Sequence, residues 1–158
     1  MNFNQFDSLL PPQAAERAAE VGVGKATKAP IKSFLLAISA GLHIGIAFIF
    51  YTTVTTGAGE LPWGITRLIG GLAFSLGLIL VVVTGGELFT SSVLTLVARA
   101  SGKISWQALI KNWLVVYFGN MVGAILLVAC MLVTKQYMFD HGQVGLNAMA
   151  ISQHKLHH

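Results

Sequence analysis

"VVVTGGELFTSSVL", Val81 to Leu94, lies inside a long apolar segment, yet it holds two adjacent glycines, a carboxylate and four hydroxyls. The segment that contains it runs from Thr66 to Ala100, 35 residues. As one straight helix it would be about 52 Å long at ~1.5 Å per residue. A bilayer's hydrocarbon core is only ~30 Å thick. The segment must therefore break or re-enter, and the sequence marks the place. Each glycine costs a helix about 1 kcal/mol relative to alanine, so Gly85-Gly86 ends the first half. Thr90-Ser91-Ser92 are suited to cap the start of the second, since their oxygens accept from free backbone N–H groups.

Working outward, the composition sets the class. The chain has 158 residues, 54% hydrophobic and 10% charged, with a mean hydropathy of +0.71. Soluble domains carry roughly 25% charged residues, so this chain is expected in a membrane. The net charge of +4 is modest, and the cations flank the apolar segments instead of forming a run. That pattern suits membrane topology and argues against nucleic-acid binding. Cys130 is the single cysteine, so no disulfide forms within the chain. The N-terminus lacks the cationic start and apolar core of a signal peptide.

The first apolar segment, 31–57, has a core free of Lys, Arg, Asp and Glu and is long enough to span a bilayer. His43 sits mid-span, open to a proton-relay reading or to packing with a local hydrogen bond. The third segment, 105–133, places Trp106 and Trp113 as interfacial anchors. Gly119 and Gly123 give it a small-xxx-small face for close packing, and Asn112 and Asn120 can hydrogen-bond across helices. The expected fold is thus all-α, with three transmembrane segments and the second (66–100) broken near 85–90. Residues 1–30 form an arm with a short helix over Ala14–Val21, opened by Pro11-Pro12. It is expected to lie at the membrane surface or to act as a cytoplasmic lid. Residues 31–158 form the membrane domain and an outer connector.

Seven of the ten cations, Arg17, Lys25, Lys28, Lys32, Arg99, Lys103 and Lys111, fall before the first span or around the second link. The positive-inside rule then puts the N-terminus and that link in the cytoplasm.

Irregular backbone at membrane depth is tolerated only where protein buries it or water reaches it. Gly85 to Thr90 should therefore line a cavity or pack deep inside an assembly. A half-helix beginning near Thr90 would offer about half a positive charge and free N–H groups to an anion. Such broken helices serve anion transport. Glu87 complicates this, because a carboxylate repels anions. Either it is protonated, or it is spent on backbone N–H groups and shapes the loop; the second is expected. A purely structural kink, in a scaffold that transports nothing, is the rival reading. No nucleophile–base pair, metal-ligand set or phosphate loop appears, so neither an enzyme nor a cofactor is expected.

At these residues the chain resembles the formate/nitrite transporter family. The family's first signature is two aliphatics, any residue, Gly, a small residue, an acid, Leu, Phe or Ile, Thr or Asn, then Gly or Ser. Val82 to Ser91 matches it at every place. "GVGKATKAP", "LAISAG", "IAFIFY", "FSLGLIL", "KNWLVVYFGNMVGA" and "HKLHH" extend the likeness over essentially the whole chain. The resemblance implies a homopentamer in a bacterial inner membrane, each protomer an aquaporin-like fold of two inverted three-span repeats with its own pore. It implies passage of formate, with nitrite or hydrosulfide as alternatives, and no nucleic-acid partner. By position, Phe74 would narrow the pore towards the outside and Leu78 would line the path. Leu88, Phe89, Thr90 and Ser91 would belong to the loop at the inner constriction, shaped by Gly85, Gly86 and Glu87. Lys155 would attract anions at the outer mouth. The second repeat, with its signature and pore histidine, is not in these residues, and His154, His157 and His158 do not replace that histidine. The chain is therefore expected to be an N-terminal part of a six-span protein, or else a chain whose pore another chain completes.

Overall fold

The computed structural model of the chain describes residues 10–156. Residues 1–9 of the arm, and His157 and His158, lie outside the described residues. Among the described residues the chain is all-helical. Helix α1 (Pro11–Thr27) leads into α2 (Pro30–Thr55), and α3 (Trp63–Thr84) ends at the break. A 3-10 turn (Thr90–Val93) continues into the short α4 (Leu94–Ala100), followed by α5 (Trp106–Thr134) and α6 (Gln143–Leu156).

Helices α2, α3 and α5 are long and apolar enough to cross a membrane. Their boundaries follow local chemistry. Pro30 opens α2, where its missing N–H is not needed. Pro62 sits just ahead of α3, which starts at Trp63, three residues before the Thr66 expected from composition. The Ser105 hydroxyl accepts the Ala108 N–H and caps α5.

Helix α2 is the centre of the packing and lies between α3 and α5. Its contact with α5 is backbone-close: a Cβ on Gly123 would fall 2.2 Å from the Ile38 carbonyl oxygen, and one on Gly119 2.5 Å from the Ala37 Cβ. The expected small-residue face of α5 is thus the face that meets α2. Only 17–28% of each spanning window is buried within this chain, which leaves broad apolar faces for lipid or further protein.

Two elements depart from the sequence reading. Helix α1 extends over 17 residues instead of Ala14–Val21. Its glycines do not end it, because Gly22 packs directly on α4, where a Cβ would meet the Leu94 carbonyl oxygen at 2.3 Å. The arm is therefore docked against α4 and α5. The stretch after α5, read as a polar connector, carries α6. Asn147 on α6 donates to the Thr52 carbonyl and to the Thr55 and Thr56 hydroxyls, tying α6 to the end of α2.

Candidate functional site

The site is built on the break between α3 and α4. Helix α3 closes at Gly85, whose φ of +65° suits glycine alone without strain. The Gly86 N–H donates to the Val81 carbonyl and the Gly85 N–H to the Val82 carbonyl, the paired closure of a Schellman turn. Beyond it the chain runs free of helix until Thr90.

Such backbone inside a membrane protein needs partners, and two neighbouring helices supply them. The Glu87 N–H donates to the Leu36 carbonyl of α2 at 3.2 Å. Asn120 of α5 does the rest. Its Nδ2 donates to the carbonyls of Glu87 and Ala37, both at 2.8 Å, and its Oδ1 accepts the Phe89 N–H at 2.9 Å. One amide thereby clamps both sides of Leu88. The sequence reading gave Asn120 a cross-helix hydrogen bond but no place in the site. Its signal was a fully hydrogen-bonding side chain inside an apolar span.

The Glu87 side chain is only 2% exposed, and its partners correct the expectation. It is not spent on backbone N–H groups. Lys25 Nζ donates to Oε2 and Lys28 Nζ donates to Oε1, both from the end of α1. The loop N–H groups of Glu87, Phe89, Ser91 and Ser92 are already committed to Leu36, Asn120 and Leu88. The docked arm brings the two ammonium groups into the place left open. One carboxylate between two ammoniums leaves a local charge of +1. The repulsion expected of a bare carboxylate is thereby reversed.

The hydroxyls behave differently from expected as well. No side chain caps the Thr90–Val93 turn. Ser91 Oγ donates to the Leu88 carbonyl at 2.8 Å and accepts from Lys25 Nζ at 3.2 Å, while Ser92 Oγ donates back to Leu88 at 3.3 Å. A serine one turn into a helix reaches the carbonyl behind it more readily than the amides ahead. Trp113 is not a free interfacial anchor. Its indole N–H donates to the Ser92 carbonyl and to Thr95 Oγ1, clipping the second half-helix to α5. Trp106 is exposed, with the Arg99 guanidinium 5.1 Å above its ring. His43 Nδ1 is buried and makes no hydrogen bond among the described residues, so the local bond expected of it is absent at that nitrogen.

Two depressions lie along one face of α3. The first, about 770 Å³, brings together Leu78, Gly85, Gly86, Glu87, Leu88, Thr90 and Ser91 with Lys25 and Lys28. The second, about 660 Å³, is lined by Phe74, Phe48, Arg67, His154 and Lys155. Phe74 and Leu78 are one helical turn apart and so share a face of α3. The Phe74 ring stands edge-on to Phe48 at 5.0 Å, and Lys155 Nζ lies 5.1 Å from the centre of the Phe48 ring. Each depression is thus apolar with cations at its rim. Phe89 joins neither: its ring packs edge-on against Trp113 at 5.9 Å and Tyr117 at 5.6 Å. Among the described residues no cluster of three His, Cys, Asp or Glu is placed to hold a metal.

The family model described as "Formate/nitrite transporter" matches residues 12–158. The chain is 57% identical over 155 residues to the formate channel FocA of Escherichia coli (strain K12), covering 98% of this chain and 54% of that protein. It is 50% identical to the formate channel FocA of Haemophilus influenzae, covering 96% and 53%. A solved structure titled "Pentameric formate channel with formate bound" matches with a TM-score of 0.77 at 74% identity, over 82% of this chain and 51% of that one. The chain therefore spans about half the length of the relatives it matches. With the signature at Val82–Ser91 folded into a clamped break between two half-helices, and with these likenesses along nearly its whole length, this chain belongs to the formate/nitrite transporter family.

Proposed function

We propose that this chain builds half of a pore that passes formate and other small monovalent anions across the cytoplasmic membrane of a bacterium, with one pore in each protomer of a homopentamer. The observation that carries the reading is the break itself, a clamped loop facing an apolar depression with a net positive rim. Formate channels among the relatives name the anion.

Formate is almost wholly ionised near neutral pH. Moving a bare anion past apolar side chains is costly. Lys25 and Lys28, held at the break by Glu87, offset that cost at one mouth; Lys155 and Arg67 do so at the other. Leu78 and Leu88 form the apolar passage beside the break, and Phe74 forms it on the outer side. The Thr90 hydroxyl replaces part of the anion's water, and Ser91, whose hydroxyl hydrogen is given to the Leu88 carbonyl, lines the passage and holds the loop. Gly85, Gly86 and Glu87 shape the loop, and Phe89 anchors it on α5. The cationic end, with α1 and the α4–α5 link, faces the cytoplasm by the positive-inside rule.

The test is formate uptake into proteoliposomes, run on this chain with its membrane insertion checked, and in parallel on a six-span protein that carries a second repeat. Uptake by the six-span protein that formate saturates and nitrite competes for poorly is the expected result. Saturable uptake by this chain alone would mean that copies of the half assemble a working pore. No uptake from either inserted protein overturns the reading.

A further inference from the structure

Apart from both depressions, a smaller cavity of about 180 Å³ lies in the elbow between α1 and α2, walled on its far side by α5. Lys28, Ser33, Lys111, Asn112 and Val115 are among its lining, which contains no Asp or Glu. Two of its side chains are more than nine-tenths buried: Ser33 is 2% exposed and Asn112 6%. Among the described residues, neither Ser33 Oγ nor Asn112 Oδ1 has a hydrogen-bond partner. The Asn112 amide is oriented by its own bond, since Nδ2 donates to the Lys25 carbonyl at 3.1 Å. Its oxygen is therefore turned from α1 as a free acceptor.

A buried polar atom without a partner is costly, and native proteins rarely keep two together without something to meet them. About 10–15 Å³ of such space holds one water, so this cavity has room for more than a single water. The charge decides the class of occupant. Two lysines line it and no carboxylate does; Lys28 is paired with Glu87 outside the cavity, so the excess charge comes from Lys111, which favours an anion, and the size limits it to a small one. The Ser33 hydroxyl can donate to it directly. Lys28 has three donor hydrogens and gives one to Glu87, which leaves others for a second acceptor. Lys111 supplies an ammonium from the α5 side. Asn112 Oδ1 would repel a bare anion, and a bridging water that donates one hydrogen to Asn112 and the other to the anion removes the conflict.

We propose that this elbow is a second small-monoanion site, separate from the depressions on α3, and that its occupation holds α1 docked against the rest of the chain. Filling it joins Lys28 and Ser33 on the elbow to Lys111 on α5 through one shared ligand. A ligand that binds only the docked form stabilises that form. Docking of α1 in turn keeps Lys25 and Lys28 on Glu87. The inference does not depend on what the pore carries.

The experiment is hydrogen–deuterium exchange of the α1 amides in the full chain in lipid nanodiscs, titrated with sodium formate. Sodium gluconate, a monoanion too bulky for the cavity, is the control at equal ionic strength. Formate is expected to slow exchange in α1 by about fivefold or more at saturation, with gluconate inactive. Ser33→Ala and Lys111→Met, at residues that are not hydrogen-bond partners of Glu87, are expected to keep the anion-free exchange pattern of α2 and α5 and to lose the response. Equal exchange in formate and gluconate overturns the proposal. So does a formate effect that survives both substitutions, which would place the anion at the α3 break and leave water alone in the elbow.

Discussion

Glu87 holds two lysines that arrive from 59 and 62 residues away, so a single carboxylate ties the arm to the break. Glu87→Gln keeps the shape and removes the charge, leaving one ammonium group with a neutral acceptor and the other facing an amide NH2 that cannot accept. Hydrogen bonds to charged groups are worth ~1.5–3 kcal/mol each, so α1 should open on the order of tenfold or more often. Trypsin, which cuts after lysine, should then cleave after Lys25 and Lys28 correspondingly faster. A digestion rate equal to that of the parent protein would remove these ion pairs from any part in holding α1. Asn120 is the other residue on which the break depends. Asn120→Ala leaves the Phe89 N–H and the Glu87 carbonyl without their partner, at about 1–3 kcal/mol for each buried group. The expected outcome is a lower unfolding midpoint in detergent, together with faster thiol labelling of a cysteine placed at Leu88. Unchanged labelling would show that the loop holds its course without Asn120.

At the scale of elements, the α2–α5 contact is set by backbone proximity and not by side-chain bulk. Gly123→Leu would drive a side chain into the Ile38 carbonyl, which stands 2.2 Å from where the Cβ must go. Neither helix can shift without also moving Asn120, which lies on the same contact. Overpacking of this kind costs ~1–3 kcal/mol, and here it also displaces the clamp on the break. The variant should fail to protect a cysteine at Leu88 and should unfold at lower denaturant than Leu114→Ala, a change at an exposed position of the same helix. Comparable behaviour of the two variants would contradict the close packing. The element scale is also where the sequence was most legible. Apolar length marks the spans, the glycine pair marks the break, and Gly119 and Gly123 mark a contact face. Helix α6 was not legible: its polar and apolar residues alternate too evenly to announce one face, and the Thr52, Thr55 and Thr56 acceptors that Asn147 meets are there only once α2 is in place.

At the scale of the whole molecule, most of each spanning helix remains uncovered by this chain, and the depressions on α3 are open along one side. In the pore proposed above, α3 would face a second repeat that closes them. Within that pore, Thr90→Ala is expected to lower formate flux, because on the proposed reading it removes a hydroxyl that would replace water around the anion. Unchanged flux and unchanged pH dependence would take Thr90 out of the site. Leu78→Ala is expected to admit larger monoanions, read as faster uptake of acetate relative to formate. An unaltered ratio would take Leu78 out of the filter.

The sequence by itself determined the all-helical membrane class, the break at Gly85-Gly86 and the family signature, because each rests on local properties: apolar length against bilayer thickness, glycine's helix cost and a run of consecutive residue types. The tertiary structure alone decided what holds the break. That Glu87 meets Lys25 and Lys28, that Asn120 closes on both sides of Leu88, that Trp113 clips Ser92 and that the serines turn back to Leu88 are matters of which groups arrive first at each donor and acceptor. Such competition is settled only when helices distant in sequence are packed together, and no spacing along the chain encodes its outcome.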